Sequence, residues 1–478
     1  MAAKRKVLML CTGGTIGMLH KVKDDPTSPL VPAKWKEIEN NFTALKELRE
    51  RFDVVTDEMK LIDSSDMHPE YWTDLAKKIG DHYNEYDGFV VLHGTDTMSY
   101  TATALSFMLE NLDKPVIVTG SQLPLAKART DAVQNLVTAL IIAASDGVPT
   151  IPEVCILFNN VLLRGNRSRK VSSSGFAGFD SPNYPPLAKI GEHIDIYTKV
   201  IRKPSAEGFF VSEFLEPNVL TFDIFPGIRA EILEKVFDIE GLKGVVMKTY
   251  GAGNIPSAPE LLENIGDAIN GKNIAVINIT QCQQGMVEMG LYDASMGLLR
   301  NGVISGVDMT PEAALVKMMF LLGQGYDIDT VKDLMQRNLR GEQSVNVFNF
   351  MYKKGETKNN ICNMQAQPLP AGFEIGKIVK ANIRFSKIAI TNKKNKKPLN
   401  LSIFMNYPKA DVATSTDIPQ CIGVLENVSE EADCMLECTQ KASQVIAPGR
   451  PVQLTVVSQN GNLSWDDVVL SIYTDVMD

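Results

Sequence analysis

The sequence is poor in the residue patterns that mark disulfide-rich, metal-binding and nucleic-acid-binding proteins. Its 478 residues include seven cysteines without a CxxC pair and five histidines without metal-ligand spacing. A disulfide framework and a metal centre are therefore not expected. The 48 lysine and arginine residues are outnumbered by 57 aspartate and glutamate residues, and the net charge is −9. This balance does not indicate a basic face for nucleic acid.

Long apolar segments are also missing. No run approaches the roughly 20 residues that are needed to cross a bilayer, so no membrane association is expected. The apolar stretch at residues 7–11 runs directly into Gly13 and Gly14, and it is too short for a secretory signal. It predicts a buried first strand instead. Free thiols fit a reducing compartment, and we expect a cytoplasmic protein.

The chain is too long for one hydrophobic core, and its patterning predicts three units. Short apolar runs alternate with amphipathic stretches over residues 1–190, which predicts a larger α/β domain with a parallel sheet. The pattern loosens around residues 180–215, where prolines and glycines are frequent, so we expect a linker over residues 191–217 and a smaller α/β domain over 218–358. Residues 372–478 contain strand-like runs without a helical period, and they predict a small all-β, sandwich-like extension of unknown role.

Glycine and hydroxyl residues follow three predicted strands of the first domain. These segments are residues 12–17 (TGGTIG), 93–98 (HGTDTM) and 119–124 (TGSQLP). Ligands of open parallel sheets bind beyond the carboxyl ends of the strands, so the three turns are expected to form one site. A single such turn is most often only a strand-to-helix connection. None of the three matches GxGxxG or GxxxxGK[ST], and nucleotide binding is therefore poorly supported.

TGGTIG followed some 80 residues later by HGTDTM resembles the two signatures of the bacterial-type L-asparaginases. The resemblance covers roughly residues 5–345, looks most like the cytosolic type I enzymes, and continues through segments at 63–67, 164–170, 181–184, 251–254 and 280–282. It implies a flavodoxin-like first domain and hydrolysis of L-asparagine to L-aspartate and ammonia. It also implies that no cofactor is needed and that the protein is a homodimer or homotetramer.

The resemblance implies that Thr15 is the nucleophile and that Thr95, Asp96 and Lys170 assist it. A threonine hydroxyl barely ionises at neutral pH, so it needs a base within hydrogen-bond reach. Lys170 can be that base only when it is neutral, which burial promotes and the Asp96 carboxylate opposes. Thr95 could relay the proton or position a water molecule. The alternative for Lys170 is a solvated surface position, because residues 167–169 look like an exposed basic patch.

Substrate-binding roles also follow from the resemblance. Ser64, together with Ser65, is expected to hold the α-carboxylate of asparagine, and Asp96 is expected to face its α-ammonium group. Asn254 matches a residue that supports the site, in family tetramers across a subunit interface. The simpler interpretations are loop serines and a turn-forming asparagine.

The sequence departs from the family in two regions. The segment His20–Pro32, where bacterial members have a mobile lid with a tyrosine, contains no tyrosine. The β-like region 372–478 lies outside the resemblance, and its partner is unknown. One alternative function is a catalytically weak paralogue that acts as a binding or scaffold protein through this region. Another is the amidase subunit of a misacylated-tRNA transamidase, which carries an extra domain ahead of its TGGT motif.

Overall fold

The computed structural model describes residues 4–22, 25, 27–39, 44–289, 293–393, 398–429 and 432–476. The first unit has fourteen described strands, which are β1 (Lys6–Gly13), β2 (Met18–His20), β3 (Leu30–Pro32), β4 (Asp53–Ile62), β5 (Gly88–Leu92), β6 (Leu109–Glu110), β7 (Val116–Thr119), β8 (Val154–Phe158), β9 (Val161–Arg164), β10 (Arg169–Lys170), β11 (Phe179–Asp180), β12 (Ala188–Ile190), β13 (Ile194–Ile196) and β14 (Phe210–Val211). Its described helices are α1 (Trp35–Glu39), α2 (Ala44–Arg51), α3 (Pro69–Asp81), α4 (Met98–Met108) and α5 (Ala132–Ala143).

The main sheet of this unit has eight strands in the order β13-β12-β9-β8-β7-β5-β1-β4. Strands β4, β1, β5, β7 and β8 are parallel to one another, whereas β9, β12 and β13 continue the sheet in antiparallel fashion. In chain order the parallel part reads 2-1-3-4-5, which is the flavodoxin-like arrangement. The expected fold of the first domain is therefore confirmed.

Helices cover both faces of this sheet because its central strands are apolar on both sides. Leu8 and Leu10 of β1 pack in a core with residues of α3 and α4. Val7 and Met9 of the same strand pack on the opposite face in a core with residues of α5. All residues of β5 are buried. Continuous apolar runs of this kind are typical of parallel strands covered on both faces.

The second unit is a smaller α/β structure. Its described strands are β15 (Val219–Asp223), β16 (Gly244–Thr249), β17 (Ala275–Thr280) and β18 (Ile304–Ser305), and its described helices are α6 (Ala230–Phe237), α7 (Pro259–Asn270), α8 (Asp293–Arg300), α9 (Pro311–Gly323) and α10 (Ile328–Met335). The four strands form one parallel sheet in chain order. Phe107 of α4 stacks on Phe320 of α9 with ring centroids 5.5 Å apart, so the two α/β units share an apolar contact.

The third unit is all-β apart from one short helix. Its described elements are β19 (Val345–Tyr352), β20 (Gly355–Glu356), β21 (Ile361–Asn363), β22 (Ile378–Lys393), β23 (Asn400–Met405), β24 (Cys421–Leu425), β25 (Ala432–Glu437), α11 (Thr439–Val445), β26 (Leu454–Gln459), β27 (Gly461–Trp465) and β28 (Asp467–Asp475). One sheet has the order β19-β28-β22-β27-β20, with β25 also paired to β22, and the other has the order β21-β26-β23-β24. One apolar core contains residues of both sheets, as expected for a sandwich.

Three details of this unit differ from the sequence pattern. Strand β22 is one continuous strand of 16 residues, longer than the short strand-like runs that the sequence pattern indicates. A register shift between Phe385 and Ile388, with Lys387 at φ 47°, bulges this strand and disturbs its alternation. Helix α11 was not expected from the pattern. Strand β19 pairs along its length with β28 of the all-β unit. This pairing favours a boundary between the second α/β unit and the all-β unit before residue 345 rather than at 358. The domain boundaries otherwise stay a prediction.

Within the described ranges, no helix is long and apolar enough to cross a membrane.

Candidate active site

The expected site lies at the switch point of the first sheet. Strands β1 and β5 are neighbours, and the chain leaves them toward opposite edges of the sheet. Such a crevice beyond the carboxyl ends of the strands is where α/β sheets bind ligands. Thr15 follows β1 in a single 3₁₀ turn, Ser64 begins a 3₁₀ turn after β4, and Thr95 follows β5. The topology therefore brings the ends of these three strands to one side of the sheet.

The three turns are packed against one another so closely that side chains are excluded between them. Gly14 has a φ of 87°, and a Cβ at this position would lie 2.3 Å from the backbone nitrogen of Gly94. A Cβ on Gly94 would in turn lie 2.4 Å from Oγ of Ser64. Both positions require glycine, the first for its backbone conformation as well as its size. The turn that carries Thr15 is thus in direct contact with the turn that carries Thr95.

Lys170 joins two of the expected catalytic side chains. Its Nζ donates to Oγ1 of Thr95 at 2.8 Å and to Oδ1 of Asp96 at 2.6 Å. Thr95 is buried, Lys170 is partly buried, and the Asp96 side chain is 62% exposed. Pairing of β10 with β11, in which Lys170 lies opposite Phe179, holds the lysine at this place. Three residues from two distant segments therefore form one hydrogen-bonded cluster that opens toward solvent on the aspartate side.

The two serines of the next turn have different environments. Ser64 is buried at 5% exposure, and its carbonyl oxygen accepts a hydrogen bond from Oγ1 of Thr97 at 2.7 Å. Ser65 is exposed, and its hydroxyl donates to Oδ1 of Asp63 at 2.8 Å. The backbone N–H and the hydroxyl of Ser65 lower the pKa of Asp63. Ser64 thus lies against the site glycine Gly94, whereas the hydroxyl of Ser65 is engaged within its own turn.

Asn254 lies in the second unit, in the turn that follows β16. Its backbone pairs with Tyr250, donating to and accepting from it at 2.9 and 3.0 Å. Its Oδ1 atom is buried and has no hydrogen-bond partner among the described residues. No hydrogen bond within the described ranges connects Asn254 with Thr15, Thr95 or Lys170. Asn254 is also the one expected site residue that belongs to the second α/β unit.

A chain of buried hydrogen bonds supports the turn that carries Thr95, although none of its residues was among the expected site residues. His93 is fully buried, with Nδ1 2.6 Å from the carbonyl oxygen of Gly94 and Nε2 2.8 Å from Oγ1 of Thr101. Trp72 Nε1 donates to the same threonine oxygen at 2.9 Å. A neutral ring with hydrogen on Nδ1 satisfies both contacts. Burial lowers the pKa of His93 from 6.5 to about 4.

The segment that leads to Lys170 is clamped by buried ion pairs. Arg167 was expected in an exposed basic patch, but it is only 1% exposed. Its guanidinium donates to Oδ2 of Asp308 at 2.7 Å and to the carbonyl oxygen of Glu342 at 2.8 Å. Asn166 donates to the carbonyl oxygen of Arg340 at 2.8 Å. The expectation for Arg167 was wrong because its partners come from the second unit, far away in the sequence.

The chemical groups of the site are hydroxyl, ammonium and carboxylate. In the part of the chain that the structure describes, no group of three or more histidine, cysteine, aspartate or glutamate side chains is placed to hold a metal ion. The fold and the site together define a protein with two α/β units and an all-β unit, with hydroxyl-bearing turns at the switch point of its larger parallel sheet.

Comparison with known proteins places this arrangement in a family. Residues 6–202 match the family described as "Asparaginase, N-terminal", and residues 218–335 match the "Glutaminase/Asparaginase C-terminal domain". Together these matches cover more than half of the chain. The chain belongs to the asparaginase family.

Individual relatives agree with this assignment. L-asparaginase 1 of Escherichia coli strain K12 is 43% identical over 343 residues, which are 71% of this chain and 98% of that protein. The 60 kDa lysophospholipase of Homo sapiens is 46% identical over 286 residues, 59% of this chain and 49% of that protein. The crystal structure of L-asparaginase I from Vibrio cholerae superimposes with a TM-score of 0.65 at 42% identity, covering 72% of this chain and 100% of that chain.

Proposed function

We propose that this protein hydrolyses L-asparagine to L-aspartate and ammonia, with Thr15 as the nucleophile. The observation that carries the proposal is the hydrogen-bonded cluster of Lys170, Thr95 and Asp96, next to the turn of Thr15 at the switch point. Membership of the asparaginase family and the similarity to L-asparaginase 1 support the same reaction.

In the first step, Oγ of Thr15 attacks the carbon of the side-chain amide. The hydroxyl proton passes through Thr95 to Lys170, which must be neutral when it accepts the proton. Backbone N–H groups of the glycine-rich turns stabilise the negative oxygen of the tetrahedral intermediate. Lys170 then returns the proton to the leaving nitrogen, the C–N bond breaks, and ammonia leaves an ester between Thr15 and the aspartyl group.

In the second step, water hydrolyses this ester. The same residues remove a proton from the water molecule, which attacks the ester carbon. The C–O bond to Thr15 breaks, and its hydroxyl regains a proton as aspartate forms. One asparagine and one water therefore give one aspartate and one ammonia, and no cofactor takes part.

Substrate orientation is proposed for the polar groups that surround the reacting centre. Ser64, assisted by Ser65, binds the α-carboxylate, and Asp96 binds the α-ammonium group. Asn254 contributes from a neighbouring subunit of a homodimer or homotetramer.

We further propose a cytoplasmic location. All seven cysteines are free, including the pair Cys434 and Cys438 that lies close in sequence. Free thiols are usual in a reducing compartment.

The proposal is tested by measuring ammonia release from L-asparagine and L-glutamine with the full chain. We expect turnover of asparagine, and we expect Thr15→Ala to abolish it. The matched control is Thr198→Ala, an exposed threonine outside the site, which should keep the wild-type rate. A correctly folded wild type that releases no ammonia from asparagine would refute the function. A Thr15→Ala variant with the wild-type rate would refute the nucleophile alone.

The competing scaffold function is not favoured. A binding protein without catalysis does not need a lysine that donates to both a buried threonine and an aspartate at 2.8 and 2.6 Å. The ammonia assay separates the two functions directly, because a scaffold protein would show no dependence on Thr15.

A further inference from the structure

A cluster of arginines lies around a cavity outside the proposed active site. The cavity has a volume of about 220 Å³ and is lined in part by Arg164, Arg202, Arg340, Ser106 and Ser205. A water molecule needs roughly 10–15 Å³ of such space, so the cavity has room for a small ion and its hydration. Arg202 also lines a second cavity of about 360 Å³ that continues toward the all-β unit.

The positive charges of this cluster exceed the negative charges that pair with them. Glu153 is bound by Arg164 through two hydrogen bonds, of 2.5 and 3.1 Å. Glu110 pairs with Arg340 at 2.6 Å. Among the described residues, no carboxylate forms an ion pair with Arg202, whose guanidinium makes one long contact of 3.4 Å to the carbonyl oxygen of Leu339. Arg164 and Arg340 thus each form an ion pair with a carboxylate, whereas Arg202 forms none among the described residues.

One N–H donor of these arginines also lacks a hydrogen-bond acceptor among the described residues. Nε of Arg340 is buried and has no hydrogen-bond partner in the described part of the chain. Burial is the main reason that the pKa of Arg202 lies below its usual value; Arg164 and Arg340 also lower this pKa, whereas Glu153 and Glu342 raise it. A guanidinium nevertheless stays charged in proteins, so this environment is unfavourable for it until an anion arrives. A buried donor without a partner is costly, and an anion that accepts from it would remove this cost.

We propose that this cavity binds a small oxyanion of the phosphate class, either free or as the phosphoryl group of a small metabolite. Arg202 and Arg340 supply the donors that are left over, and Arg164 adds to the positive potential. Guanidinium groups suit this ligand because their planar N–H groups match the oxygen atoms of a phosphate in pairs. The hydroxyl of Ser205 on the cavity wall offers a further donor, whereas that of Ser106 already donates to the carbonyl oxygen of Ala102 at 2.7 Å.

The proposed anion would lie next to the segment that leads to Lys170. Arg164 ends β9, six residues before that lysine, and the backbone of Arg340 accepts a hydrogen bond from Asn166. An anion held between Arg202 and Arg340 would therefore connect the first unit to the loop that contains Arg340. That loop already contacts the segment that leads to Lys170, through Asn166. The binding site is independent of the proposed reaction, and its test does not rely on turnover.

The test is calorimetric titration of the full chain with inorganic phosphate, with chloride adjusted to keep the ionic strength constant. We expect saturable binding of one phosphate per chain, and binding about tenfold or more weaker in Arg202→Gln, because a charge-assisted pair is lost. The matched control is Arg450→Gln, an exposed arginine of the all-β unit, which should bind like the wild type. A parallel titration with glycerol 3-phosphate distinguishes free phosphate from the phosphoryl group of a metabolite. Tighter binding of this ester than of inorganic phosphate would indicate that the ligand is a phosphorylated metabolite.

Hydrogen exchange of the wild type provides a second measurement that needs no variant. Phosphate should slow exchange in peptides that cover residues 200–205 and 338–341, and chloride should not. Absence of saturable binding, equal affinity of Arg202→Gln, or binding of succinate without binding of phosphate would overturn the proposal. If Arg202→Gln does not fold, a lack of phosphate protection in those two peptides overturns it instead.

Discussion

Acidification should weaken the folded state through one buried histidine beneath the site. His93 is neutral in the fold because burial disfavours its charged form, and the neutral ring can donate from Nδ1 to the carbonyl oxygen of Gly94 and accept at Nε2 from the hydroxyl of Thr101. Burial lowers its pKa from 6.5 to about 4. The unfolded chain therefore takes up this proton at a higher pH than the folded chain does. The stability that this group contributes is complete above about pH 6.5, and it is lost as the pH falls toward 4.

The size of the effect follows from the two pKa values. One pKa unit corresponds to about 1.36 kcal/mol, so the drop from 6.5 to about 4 allows a loss of roughly 3 kcal/mol. This is a large share of the stability of an ordinary domain, which is about 5–15 kcal/mol. Other groups that titrate in the same range act on the wild type and on a His93 variant alike, and a comparison of the two isolates the histidine.

The assay is urea unfolding of the wild type and His93→Gln, followed by tryptophan fluorescence from neutral pH down to about pH 4. Protein concentration is held constant because assembly would shift the apparent stability. We expect the free-energy advantage of the wild type to shrink by about 2–3 kcal/mol over this range. The exposed His193 provides the control, and His193→Gln should follow the wild type at every pH. If the difference in the free energy of unfolding between wild type and His93→Gln stays constant with pH, the reasoning is wrong.

Two further predictions concern lysines with different partners. Lys170→Met should reduce the rate of asparagine hydrolysis by about 10²–10⁴-fold. The free energy of unfolding in urea should change by less than about 1 kcal/mol, because the ion pair between Lys170 and Asp96 is partly exposed. Steady-state ammonia release at the wild-type level would contradict this prediction. Lys317→Met should destabilise the fold by about 3–5 kcal/mol, since it leaves the fully buried Glu342 carboxylate without its partner at 2.6 Å. Adding Glu342→Gln should restore part of the loss in urea unfolding, and a double variant less stable than Lys317→Met would refute this account.

Much of the α/β fold was predictable because its signals are local. Strands β5 and β7 are short apolar runs, and the buried positions of α3 recur at steps of three and four residues. Strand β4 was missed, since it lies at the edge of the sheet and alternates between exposed and partly buried residues. Its place depends on pairing with β1, in a register that runs from Lys6 opposite Asp53 to Gly13 opposite Ile62.

The candidate site was predictable to a different degree for each residue. The glycine-containing turns after predicted strands pointed to Thr15 and Thr95, because such strand ends mark a ligand crevice wherever the sheet is parallel, whereas Ser64 was expected only from the family resemblance. The role of His93 was not visible, since its partners Thr101 and Trp72 lie on two helices that only the packed fold brings to the ring. A helix residue at such a distance gives no local signal for a hydrogen bond.

The sequence by itself determined the composition of this site: glycines that allow three turns to touch, and threonines at the ends of the strands that carry them. Only the tertiary structure decided which polar groups meet. Lys170 reaches Thr95 across 75 positions of sequence, and Arg167 finds Asp308 across 141. The physical reason is that glycine requirements arise from neighbouring backbone, whereas the partner of a charged side chain depends on how distant elements pack.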